Sequence, residues 1–356
     1  MNKKLITLAI AAAVATPFAA QAGSLNVANQ DITLSGGITG DYIYQTDTKM
    51  DQYVVNDALL DFASDAKAGG MGFKLGVGTL AGNNMGSSTS PLNIIGGGST
   101  VVPNSPTTVG VQYGWVTLMP TDGLTVDAGM LATNTGYEVA PSYDNGNILR
   151  GLVYYNQAPN YYTGARVTYS TGGMSVYVEG SKQDAINKSN GQAIGASATM
   201  GSVNGSISYF NDEDNKSIVD IVASTMAGNV TLATNIDYIT KSDKLKKAAP
   251  AGTDDNAYGI ALYATVPMGD MAELPMRLEY VNDGTSGLYG MGSSGNSQTA
   301  ITFTITPTYN FSKATFVRAE LAYVSVDKKV GSPYVDDKGI ATDSNMTVGA
   351  QAGVRF

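Results

Sequence analysis

Two segments of the chain repeat an Arg-x-Glu spacing, Arg277/Glu279 and Arg318/Glu320. In an extended strand residues two apart share a face, so each pair sets a cation beside an anion. Such groups can pair with each other or act on a charged solute. Other chemistry is thinly represented. Paired carboxylates can hydrolyse glycosides, but nothing marks a pair for that work. The run Asp212-Glu213-Asp214 could hold a divalent cation, and reads more simply as a solvated hairpin cap. Gly96-Gly97-Gly98 lacks the strand–helix setting and the lysine of a phosphate loop. The chain has no Cys and no His, which excludes disulfides, thiolate metal sites, His-ligated metals and His-based nucleophilic catalysis. No catalytic residue, cofactor or metal is expected. A formal net charge of −9 also argues against a nucleic-acid partner, because phosphates need a basic face.

The elements that carry these residues alternate with period two. On Thr299–Phe311, Ile301, Phe303, Ile305, Pro307, Tyr309 and Phe311 share one face, and Thr302, Thr304, Thr306 and Thr308 the other. Val230–Thr240 and Thr347–Phe356 read the same way. This is the pattern of strands with one apolar and one polar side. A secreted β-sandwich or solenoid would show it too. Three features favour a transmembrane barrel. The polar face is rich in Thr, Ser, Gly, Asn and Gln. Many segments carry Tyr, Phe or Trp on what reads as the apolar face: Tyr42, Tyr44, Tyr113, Trp115, Tyr169, Tyr238, Tyr258, Tyr309, Phe311 and Phe356. Rings of this kind mark the two bilayer interfaces. Short turns also alternate with long polar loops.

Residues 1–22 read as a secretory leader. Lys3 and Lys4 precede the apolar run Leu5–Ala15, Pro17 breaks it, and Ala20-Gln21-Ala22 fits the cleavage rule. Its loss would take the net charge from −9 to −11, since it holds two lysines and no acids. Residues 23–356 then form one barrel domain. A first pass finds seventeen segments. If Ile148–Tyr155, whose apolar residues do not alternate, belongs to a loop, about sixteen strands remain. The tight turns (119–123, 171–173, 201–204, 227–229, 310–313) then fall at one rim. The long loops (81–108, 132–160, 241–255, 283–298, 327–343) fall at the other. A barrel of that size encloses water. The loop Ala132–Asn160 is the candidate to fold inward.

Charge is 14% of the chain, against about 25% in ordinary soluble domains. Arg166, Arg277, Arg318 and Arg355 fall on the polar face and Arg150 in the candidate loop, with Lys74 the one clear wall lysine. Asp41, Asp57, Asp61, Asp127, Glu179, Asp220, Asp237, Glu279 and Glu320 face the same way. This acid excess predicts a mild preference for cations.

The stretch Asp127-Ala-Gly-Met-Leu-Ala-Thr133, then Gly136-Tyr-Glu-Val139, Arg150, Ala158-Pro159 and Tyr162-Thr-Gly-Ala-Arg-Val167 resembles the OmpL-like β-barrel porin-2 family. The family commonly has His where Tyr162 stands. The likeness covers roughly forty residues, and the rest follows only in strand rhythm. Phe356 with its alternating approach resembles the assembly signal read by the outer-membrane insertion machinery. The resemblance implies an outer-membrane pore for small hydrophilic solutes, set among outer-membrane lipid and lipopolysaccharide, and names no solute. Glu138, Arg150 and loop tyrosines are the expected constriction. Asp127, Arg166, Glu179, Asp237, Arg277, Glu279, Arg318 and Glu320 are the expected lining. A structural or adhesive barrel without conductance is the alternative, and the sequence does not choose between a monomer and a homotrimer.

Overall fold

A computed structural model describes residues 23–27, 30–80, 109–155, 160–184, 189–327, 332 and 334–356. The expected leader 1–22 and the loop 81–108, with its triple glycine, lie outside the described residues.

The strands are β1 (Gly23–Val27), β2 (Gln30–Gln45), β3 (Met50–Ser64), β4 (Gly70–Leu80), β5 (Gly110–Thr121), β6 (Leu124–Ala132), β7 (Tyr161–Thr171), β8 (Met174–Asp184) and β9 (Ser189–Met200). They continue as β10 (Val203–Asp212), β11 (Lys216–Ala227), β12 (Val230–Lys241), β13 (Asn256–Pro267), β14 (Ala272–Gly284), β15 (Gln298–Ile305), β16 (Thr308–Asn310), β17 (Thr315–Val326) and β18 (Ser344–Arg355). All pairings are antiparallel, neighbour to neighbour, and β18 pairs with β2 to close the ring. The result is a closed 16-strand barrel.

The sixteen staves are made from eighteen strand segments. β15 and β16 are one stave interrupted at Thr306-Pro307, where proline lacks the amide a ladder needs. Both halves pair with β14 and β17. β1 is not a stave. It pairs with Gln30–Leu34 of β2, beyond the point where Phe356 bonds Gly36.

The segment Ile148–Tyr155 is indeed loop. It carries one short helix, α1 (Leu152–Tyr155), and a 3-10 turn precedes it at Ser142–Asp144. Long connections gather at one rim, although short ones occur there too, as between β2 and β3 or β10 and β11. A second short helix, α2 (Asp243–Ala248), sits in the connection from β12 to β13, capped by the Ser242 hydroxyl.

The outer face is apolar and unpaired. Ile38, Leu60, Val116, Val167, Ile194, Ile221, Leu278, Ile301, Phe303 and Leu321 are all exposed. An apolar surface of this breadth disfavours a soluble β-protein and fits a lipid-facing band. Among the described residues no helix is long and apolar enough to cross a membrane; the strands do the crossing. Tyr169, Tyr238, Tyr258, Tyr309 and Phe311 are exposed on that face as expected. Tyr113 and Trp115 are not. Their neighbours Val111, Val116 and Leu118 take the outward positions, and a bulge against Gly76/Val77 resets the alternation. Both rings therefore face the lumen.

Candidate functional site

The loop after β6 enters the barrel, and the wall holds it by its backbone. Its amides donate to inward carboxylates. Gly136 N donates to Asp220 at 3.1 Å, Ser142 N to Asp57 at 2.8 Å, and Val153 N to Glu279 at 3.0 Å. Ile148 N and Leu149 N both donate to Glu320, at 2.5 and 2.9 Å. Tyr137 N donates to the Asn235 side chain at 3.0 Å. The loop's carbonyls accept from arginines. Arg318 reaches Ser142 O, Asn145 O and Gly146 O, Arg277 reaches Leu149 O, and Arg355 reaches Tyr143 O. The wall thus supplies both polarities that an irregular backbone needs once it is taken out of water. Charge-assisted bonds of this kind contribute about 1.5–3 kcal/mol each.

Local sequence shapes the loop for this. Asn145 donates to Val139 O and Pro141 O and accepts from Val139 N, tying one turn to itself. Gly151 passes so close to Glu279 that a Cβ would overlap the carboxylate. Ile148, Leu149, Leu152 and Val153 pack with wall residues Ile43, Ile239 and Val281 and with Tyr289. The non-alternating apolar run is therefore a small core inside the lumen.

The two Arg-x-Glu pairs behave differently. Arg277 contacts Glu279 at 3.2 Å and Glu138 of the loop at 2.6 Å, and Glu138 also accepts from Gly151 N. Arg318 does not bond Glu320. It donates to Gln351 and the loop carbonyls, while Glu320 takes loop amides and the Thr306 hydroxyl. Arg166 and Glu179 pair at 2.8 Å, joined by Tyr162. Asp237 accepts from Asn235, beside Asp220. Asp127 accepts from Thr117 and is part-exposed. Glu138 and Arg150 are buried, and the Arg150 guanidinium stacks over Tyr154. Among the described side chains of the loop, Asn134, Tyr137, Val139 and Asp144 are exposed. The sequence named Asp57 and Asp220 only as inward acids. Their task of holding loop amides had no local signal, nor did that of Asn235.

The wall also carries flat aromatic rings laid over glycines. Tyr113 covers Gly76, Tyr177 covers Gly195 and Phe316 covers Gly353. A cation stands over each: Lys74, Arg166 and Arg318 respectively. Glycine there leaves room for the ring, and the ring's negative face attracts the cation.

A second region is different. Toward the short-turn rim, β7–β11 present Thr168, Ser170, Ser175, Ser197, Thr199, Asn204, Ser206 and Ser224 inward. Ser170, Ser197, Thr199 and Asn204 are exposed. This face is uncharged and hydroxyl-rich, and those four side chains are open to water.

A barrel with these parts has close structural kin. The fold matches OmpT of Vibrio cholerae with a TM-score of 0.65 at 12% identity, covering 94% of this chain and 100% of that one. It matches the outer membrane channel DcaP of Acinetobacter baumannii at 0.63 and 12% identity, with 94% and 100% covered. It matches Salmonella typhi OmpF, in complex with daunomycin, at 0.60 and 14% identity, with 93% and 100% covered. At such identities the likeness is one of fold. No curated protein is detectably similar in sequence. The family model described as "Putative beta-barrel porin-2, OmpL-like" matches residues 11–356. The chain belongs to that family of outer-membrane β-barrel porins.

Proposed function

We propose that this porin is a passive, water-filled channel for small hydrophilic solutes and ions, narrowed by the loop 133–160. One observation supports this most. The loop is fastened to lumen residues of β3, β11, β12, β14, β17 and β18, while the hydroxyl face of β7–β10 toward the short-turn rim stays open to water. No residue is assigned a catalytic role. The exposed loop residues Tyr137 and Val139 bound the narrow part, with Asp127 among the lining groups. Glu138, Arg150, Arg277, Glu279, Arg318 and Glu320 act from behind the loop, by holding it. Removing residues 140–156 should raise single-channel conductance in planar bilayers; an unchanged value ends the constriction reading. Absence of liposome swelling with small sugars would instead favour a structural or adhesive barrel.

Inward acids outnumber inward bases, so we expect a mild preference for cations. Reversal potentials across a salt gradient measure it, and clear anion selectivity would contradict it. Delivery follows the same proposal: a cleaved leader 1–22, and Phe356 presented to the insertion machinery. Whether OmpT's trimer form has a counterpart here is decided by the mass of the detergent-solubilised protein.

A further inference from the structure

Trp115 is the only tryptophan of the chain, and it lies on the lumen wall, not in the lipid belt. Its indole is part-exposed. Tyr113 sits beside it at 5.8 Å between ring centroids, and Tyr161 stacks on Tyr113 at 4.7 Å. Lys74 Nζ stands 5.6 Å from the Tyr113 centroid and 5.9 Å from that of Trp115. Among the described residues no carboxylate pairs with Lys74 within ion-pair distance. On the other side, Thr117 donates to one oxygen of Asp127, which is part-exposed.

The wall next to the indole is bare. Trp115 faces Gly129 on β6, and Gly129 faces Gly164 on β7. A side chain at Gly129 would press on Trp115 Cα at 2.7 Å and strain a φ of 145°. Two bare positions on adjacent strands leave a shelf about 10 Å across. Asp127 and Arg166 border it on one side, and Leu131 and Tyr162 on the other.

This shelf offers an aromatic face flanked by one free donor and one free acceptor. Charge restricts what suits it. Lys74 over the rings repels a cationic solute, and Asp61, Asp127 and Glu179 repel an anion. A neutral ring whose C–H face is weakly positive packs on a π face, and its hydroxyls can meet both Lys74 and Asp127. We propose that Trp115, backed by the buried Tyr113 and flanked by Lys74 and Asp127, forms a binding shelf for a neutral pyranose sugar on the lumen wall. The proposal rests on the water-filled channel reading and adds a solute class to it.

The lone tryptophan reports directly. In the detergent-folded full-length barrel, maltose and glucose should change Trp115 emission saturably, while benzoate and choline should not. In bilayers carrying KCl current, the same sugars should reduce the current. Trp115→Ala should weaken that block about tenfold, and Val116→Ala, on the lipid side, should keep it. Heat-modifiable migration confirms that each variant is folded. A saturable response to benzoate or choline alone, no saturable response at all, or a block that persists in Trp115→Ala overturns the shelf. Absence of KCl current is a separate result, which sinks the channel reading and leaves the emission titration to judge the shelf.

Discussion

The wall under the loop and the hydroxyl wall of β7–β11 are built from the same alternating strands but meet different neighbours. Under the loop, Arg277 and Glu279 are each 1% exposed, and Arg277, Glu279, Arg318 and Glu320 all engage loop backbone. On the hydroxyl wall, Ser197 and Thr199 are exposed and their bonds are short-range, Ser175 to Ser197 and Thr199 to Asn204. Charge is concentrated where irregular backbone must be kept out of water. Where water itself covers the wall, hydroxyls suffice. The Arg-x-Glu repeat therefore reads as a fastening device, not as a ladder presented to solutes.

The largest expected effect comes from cutting the fastening. Arg277→Ala leaves Glu138 and Glu279 buried without their cation, a loss of about 3–5 kcal/mol. The temperature of heat modification should fall and single-channel conductance should rise as the loop loosens. Ser197→Ala, on the exposed hydroxyl face, should stay within about 0.5 kcal/mol by the same assay. Equal effects at both sites would erase the distinction between the walls.

Much of the barrel was legible because its causes are local. Period-two alternation fixed which residues face inward, including the four wall arginines, and the broken alternation of Ile148–Tyr155 marked it as loop. The clamp was not legible. Glu320 meets Ile148 across 172 residues of chain, and no spacing rule links them. Trp115 misled for a related reason: one bulge at Gly76/Val77 turns the following residues over, and a bulge leaves no periodic trace. The expectation that Arg150 and Glu138 face solutes failed to anticipate that a loop can bury its own charges against the wall.

A charge added to the open wall should matter more for selectivity than one removed from the sealed wall. Ser197→Lys places an ammonium in lumen water, and the reversal potential should move toward anions. Glu320→Gln removes a charge already surrounded by Ile148 N, Leu149 N and the Thr306 hydroxyl. Its effect on reversal potential should be smaller than that of Ser197→Lys, though its effect on loop retention should be larger. The reverse order of reversal potentials would show that solutes pass along the charged wall.

The smallest effect concerns the same chemistry placed in water. Asp254, in the connection from β12 to β13, accepts from Thr285 N at 2.7 Å and the Thr285 hydroxyl at 2.8 Å, the donor types that Glu320 receives inside the barrel. The Thr285 amide and hydroxyl hold its carboxyl below the usual value of 3.8. A depressed folded value means that this contact contributes fully above about pH 3.8 and fades as pH falls through the folded value. Amide exchange at Thr285, corrected for its intrinsic rate, should thus lose protection only under strongly acidic conditions, and Asp254→Asn should abolish that pH dependence. Because the site is exposed, solvent screening keeps its worth small. The contrast with Glu320 shows what burial adds: amide and hydroxyl donors order a surface turn weakly in water and anchor a loop inside the barrel once water is excluded.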